Sequence, residues 1–161
     1  MNDATGSVNP SRPIKHLDTT IVRNHEQVVL IAGSNNISSK DSVQEIDDQY
    51  QRIIKQIKTV NPTCKLYIQE LFPRHDMLRT KKISLVNSNL KQTCELMKVK
   101  MIPAPEFHRD DYTTKGLHLN EGGKAKLARS IMSYLDQNNL KLNDTVSHSD
   151  SFQANHNPIR E

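Results

Sequence analysis

Six residues, Gln27-Val28-Val29-Leu30-Ile31-Ala32, closed by Gly33, constrain the fold of this chain more than any others. The run is apolar at nearly every position, rich in β-branched side chains and ended by a turn former. A strand with one wet face would alternate apolar and polar residues. A strand apolar on both faces has to be covered on both, which is the situation of a parallel sheet lying between helices.

The segments after Gly33 keep to that pattern. Ser42-Val43-Gln44-Glu45 reads as a capping box, in which the Ser42 hydroxyl accepts from the Glu45 N–H while the Glu45 carboxylate reaches back. Val43, Ile46, Tyr50, Ile53 and Ile57 then step by three and four along one helical face, and Asn61-Pro62 stops it. Cys64 to Gln69 reads as a second strand. Ile83, Val86, Leu90, Cys94 and Met97 mark a second helical face, and Val99 to Ile102 a third strand closed by Pro103 and Pro105. Leu127, Ala128, Ile131, Tyr134 and Leu135 define a last helix beginning near Asn120. The order βαβαβ-loop-α predicts right-handed parallel crossovers and an α/β sandwich.

The ends differ in composition. Residues 1–25 are predicted to be loop with one short helix, since Ile14, Leu17, Ile21 and Val22 follow Pro13 at helical spacing. Residues 140–161 are poor in apolar side chains and are predicted to be a disordered tail. Residues 26–139 remain as the folding unit, about the usual size of one domain. The low apolar fraction of 35% fits a chain of which only part is core. No apolar run approaches the ~18–20 residues of a membrane span, and the polar start has no apolar stretch of a signal peptide. Cys64 and Cys94 stand without partner ligands at metal spacing and read as free thiols. These features predict no membrane association, no metal or cofactor, and a cytoplasmic or nuclear location.

Ligands of open α/β sheets bind beyond the carboxyl ends of the strands. The segments of interest are therefore Gly33 to Asn36, Glu70 to His75, and Pro103 to Asn120. Asn35 and Asn36 could donate side-chain amides into a cleft and stabilise an oxyanion, or simply form a turn. His118, just before the last helix, could act as a general base if a carboxylate held its second nitrogen, with Asp110 and Asp111 as nearby carboxylates. The alternative is a structural histidine beside solvated loop charges.

Three runs in this order, Val28 to Asn36, Leu71-Phe72-Pro73-Arg74, and Gly116-Leu117-His118-Leu119-Asn120 with Gly123-Lys124, resemble the SGNH (GDSL-like) hydrolase superfamily. More narrowly, the chain resembles its divergent domains in invertebrate and mobile-element reading frames, and the resemblance covers roughly Gly6 to Leu135. It implies a three-layer α/β/α flavodoxin-like parallel sheet, here lacking the first two strands, and an ester hydrolase with an acyl-ester substrate. Residue by residue, it implies that Asn35 is an oxyanion donor, His118 the base and Gly6 a weak match to an oxyanion glycine. Three positions before His118, where the family has an aspartate, stands Lys115. Asp111, seven residues upstream, is the nearest substitute. No Gly-Asp-Ser, the triplet that carries the nucleophile, occurs in the sequence. The expectation is therefore a domain without catalytic turnover.

Charge suggests a second class of function. From Arg52 to Lys100 there are eleven Lys/Arg against three Asp/Glu. Such a stretch can bind RNA or another polyanion, as one catalytically dead relative in the resembled family does, or it can be a solvated face. Loss of two strands would also leave the Val28 strand with an unpaired edge and predicts self-association.

Overall fold

A computed structural model describes residues 19–38, 40–75 and 80–149. Strand β1 (Gln27–Leu30) lies between a short helix α1 (Thr19–Arg23) and a one-turn helix α2 (Ser34–Ser38). Helix α3 (Val43–Val60), strand β2 (Lys65–Gln69), helix α4 (Thr80–Leu96) and strand β3 (Lys100–Ile102) come next. A 3-10 turn at Arg109–Asp111 and helix α5 (Glu121–Ser149) complete the order.

The strands form a parallel sheet in the order β1-β2-β3, with Gln27 opposite Lys65 and Tyr67 opposite Lys100. Two parallel crossovers running in one direction across a sheet put both connecting helices on the same face. Burial agrees. Leu30, Leu66 and Ile68 share a core with Ile46, Tyr50, Ile53, Ile54 and Ile57 of α3 and with Ile83, Val86, Leu90 and Cys94 of α4. Each such side chain contributes roughly 1.5–3 kcal/mol by leaving water. The opposite face belongs to α5, where Tyr134 meets the Tyr67 ring edge-on at 6.3 Å and Asn139 accepts from the Gln27 amide. The result is the three-layer α/β/α sandwich expected from the sequence. Among the described residues the sheet has three strands, and β1 pairs on one side only.

Local signals are realised in detail. The capping box at α3 is complete, with Ser42 Oγ accepting from Glu45 N–H at 3.1 Å and Glu45 accepting from Ser42 N–H at 2.6 Å. Asn61 ends α3 and turns its amide onto the carbonyls of Val22 and His25, tying α1 to the sheet entrance. Helix α4 ends in a Schellman motif, in which Val99 N–H donates to Cys94 C=O and Lys98 N–H to Glu95 C=O. The left-handed position of that motif, usually glycine, is Lys98 at φ 54°. A side chain there costs about 1–2 kcal/mol of backbone strain.

One expectation changes. Helix α5 continues to Ser149, so the boundary placed at 140 from composition falls inside a helix. A polar sequence can still propagate a helix from a nucleus already anchored by packing. The first helix is described only from Thr19, so Ile14 and Leu17 lie outside the described residues, as do Gly6 and residues 150–161.

Candidate active site

Three loops leave the carboxyl ends of the strands. The first turns at Gly33, whose φ of +98° belongs to the left-handed region that glycine tolerates. Tyr50, fully buried on α3, lies beneath this turn and donates from its hydroxyl to Ala32 C=O at 2.6 Å. Burial holds its phenol well above the ordinary range. Asn35 lies on α2 in the first turn after Gly33, and its side chain is outside the described residues. Asn36 does not offer its amide to a cleft. It is fully buried and donates to the Asp41 carboxylate at 2.9 Å and to the Gln49 amide oxygen at 3.2 Å.

The second loop, Glu70 to His75, is clamped to its surroundings. The Asn87 amide pairs with both N–H and C=O of Leu71 at 3.0 and 2.8 Å, and the Glu70 carboxylate accepts from Ala104 N–H at 2.9 Å. From this loop the buried Arg74 donates to Ser34 C=O at 2.9 Å, and His75 N–H donates to Gly116 C=O at 3.0 Å. It therefore joins the Gly33 loop to the loop of His118. The sequence signal for this role is Pro73-Arg74, immediately beyond a strand, but only the fold says what the guanidinium reaches.

The third loop carries His118. Tyr112 and Leu119 pair as an isolated antiparallel bridge, and Thr113 N–H donates to His118 C=O at 2.8 Å. The Arg109 guanidinium caps the carbonyls of Thr113 and Thr114. Tyr112 donates its hydroxyl to Pro73 C=O and packs edge-on against the His75 ring at 4.7 Å. Burial pushes its phenol up to about 12, so it remains a neutral donor. Phe107, Tyr112 and Leu119 form a small second core with Phe72 and Leu127 under this loop. The His118 side chain itself is exposed, and among the described residues its ring has no hydrogen-bond partner.

Asp111 has other partners than the histidine. Its Oδ2 accepts from His108 N–H at 2.8 Å, closing the 3-10 turn, and from Lys126 Nζ of α5 at 2.9 Å. These two contacts, the backbone bond first, hold its carboxyl below the usual carboxylate range. Asn120 caps α5, accepting from Gly123 N–H at 3.0 Å while its amide donates to the carbonyls of Asp110 and Tyr112. Lys115, three before His118, is exposed. No group of three or more potential metal ligands occurs among the described residues. No helix described is long and apolar enough to cross a membrane.

The arrangement has solved counterparts. A carbohydrate esterase family 3 protein from Talaromyces cellulolyticus matches with a TM-score of 0.63 at 19% identity, over 77% of this chain and 65% of that one. A peptidoglycan O-acetylesterase matches at 0.62 and 11% identity, over 74% of this chain and 40% of that one. The Clostridium thermocellum family 3 carbohydrate esterase matches at 0.56 and 22% identity, over 71% of this chain and 61% of that one. The chain thus spans less than two thirds of the length of these three proteins. No protein-family model matches the sequence. No curated protein matches it either. What the likenesses establish is the fold.

Proposed function

With the SGNH-hydrolase fold as premise, we propose that this chain is an esterase-type domain that keeps a base-bearing loop yet has no turnover of its own on an acyl ester. The observation that carries this is the occupation of Asp111 by His108 N–H and Lys126. A histidine acts as general base when a carboxylate fixes its tautomer and supports the imidazolium that forms. Here the nearest carboxylate in the loop serves a turn and a lysine, and the position three before His118 carries a positive charge. The sequence also offers no Gly-Asp-Ser nucleophile for such a base to activate. By the family resemblance, Asn35 keeps the sequence position of an oxyanion donor. Gly6, the other oxyanion candidate, lies outside the described residues.

Proton NMR of the imidazole N–H groups tests the carrying observation. The expected result is no protected His118 ring proton, because an exposed ring without an acceptor exchanges freely with water. A protected Nδ1 proton that disappears in Asp111→Asn would overturn the reading and make Asp111 the orienting acid. That outcome favours the alternative, an ester hydrolase completed by a Gly-Asp-Ser block encoded upstream.

A second reading, polyanion binding, is favoured by lysines at the opposite end of the sheet that form no ion pair with a carboxylate among the described residues.

A further inference from the structure

Parallel strands all enter a sheet at one end, so their first residues line one edge. Here those residues are Gln27, Lys65 and Lys100, on adjacent strands. Lys98 stands two residues before β3 begins. Lys65, Lys98 and Lys100 are exposed. Lys58 reaches the same edge from the last turn of α3, where its ammonium caps Met97 C=O. Lys100 Nζ donates to the neutral Asn138 amide at 2.9 Å. Among the described residues none of these four lysines is in an ion pair. Glu26 and Glu95 are the exposed carboxylates that flank the edge, and neither comes within ion-pair distance of a lysine. Like charges placed side by side repel. They are relieved by an anion with several charges at similar spacing.

Lys98 adds a second observation. It occupies the left-handed position of a Schellman motif, where glycine would relax the backbone. A lysine in that place adds charge to the edge and strain to the chain.

We propose that this strand-entry edge binds the phosphodiester backbone of nucleic acid without reading bases. This rests on the polyanion reading and gives it a place, away from the His118 loop. Aromatic side chains are only 4% of the sequence, so base stacking contributes little and phosphates supply the contacts. Leu96, 84% exposed near Lys98, is a single apolar group and adds little insertion into a bilayer, so a lipid surface would be held by charge alone.

The test is fluorescence anisotropy with the full chain, a labelled unstructured RNA of about 20 nucleotides and a DNA duplex of similar length, over roughly 25 to 200 mM salt. Binding is expected in the micromolar to 100 μM range, with log K falling about three units per decade of salt on the single strand. Lys65→Glu with Lys100→Glu should weaken it at least tenfold and flatten the slope by about two. Lys98→Gly removes one charge while relaxing the backbone, so it should bind more weakly and melt at a higher temperature. Loss of binding there cannot be misfolding. Lys81→Glu with Lys91→Glu, the same charge change on exposed lysines of α4, should change affinity less than threefold. Equal loss in both pairs would overturn the edge as the site and leave general polyanion attraction standing. No binding at the lowest salt would overturn the polyanion reading as well. Binding only to vesicles containing phosphatidylserine would replace nucleic acid with a lipid surface.

Discussion

Replacing Gly33 by alanine is expected to cost about 2–5 kcal/mol of stability. Two independent penalties meet there. The backbone sits at φ +98°, where an L side chain is strained. The added Cβ would also lie 2.4 Å from the Tyr50 hydroxyl oxygen and 3.2 Å from Leu71 Cδ2. The tyrosine cannot retreat easily, because it is fully buried and its hydroxyl is held by Ala32 C=O. Urea unfolding monitored by circular dichroism measures the loss. Combining Gly33→Ala with Tyr50→Phe removes the colliding oxygen, so the double variant should be more stable than the sum of the single losses by roughly 1 kcal/mol. A loss below about 1 kcal/mol for Gly33→Ala alone would mean that the turn is differently built.

Gly123→Ala is the second large effect, and its sign carries the information. Within a helix, alanine is normally favoured over glycine by about 1 kcal/mol. At Gly123 the new Cβ would stand 2.2 Å from the carbonyl oxygen of Asp111 and 3.1 Å from Leu119 Cδ2. Backbone cannot swing aside as a side chain can. The 3-10 turn must therefore move away from α5, stretching the Asn120 N–H to Asp111 C=O bond and the pairing of Tyr112 with Leu119. A net loss of roughly 1–3 kcal/mol is expected, together with altered amide resonances from Tyr112 to Asn120. Gly122→Ala is the control. Its Cβ would meet only Asn120 Oδ1, at 3.3 Å, and stability should stay within about 1 kcal/mol of the parent. If Gly123→Ala stabilised the protein, the close approach of the His118 loop to α5 would be refuted.

Much of the fold is legible in the residues themselves, for reasons the packing makes concrete. Strand β2 is buried from Leu66 to Gln69, while β1 is buried at Leu30, half-buried at Val28 and Val29 and followed by an exposed Ile31, so the two apolar runs mark the strands but overstate how fully β1 is covered. The capping box at Ser42 and the stop at Asn61 are local chemistry, decided by residues three or four positions away. The extent of α5 is not legible in the same way. Its last turns carry little apolar signal, and only attachment to the packed turns before them extends the helix to Ser149.

The site is legible as a place and not as a mechanism. Chain order puts His118 and Asn35 on segments at the carboxyl edge. Whether Asp111 serves the histidine depends on Lys126, fifteen residues further along and on the next helix. No spacing rule foretells which of two neighbours a carboxylate will face. Asn36 illustrates the same limit, since one step along α2 turns a candidate donor into a buried strut between Asp41 and Gln49. Arg74 stands within a short motif, yet its bond to Ser34 C=O, which ties two of the three loops together, is a property of the assembled edge.

This chain shares its fold with solved esterases, and the central proposal is that its histidine performs no catalysis unaided. Hydrolysis of p-nitrophenyl acetate by the parent chain and by His118→Ala, measured side by side against buffer, tests it most directly. Equal rates are expected for the two proteins, each indistinguishable from buffer. Turnover by the parent that falls by roughly 10²–10⁴-fold in His118→Ala would contradict it, because a loss of that size is what removal of a working general base produces.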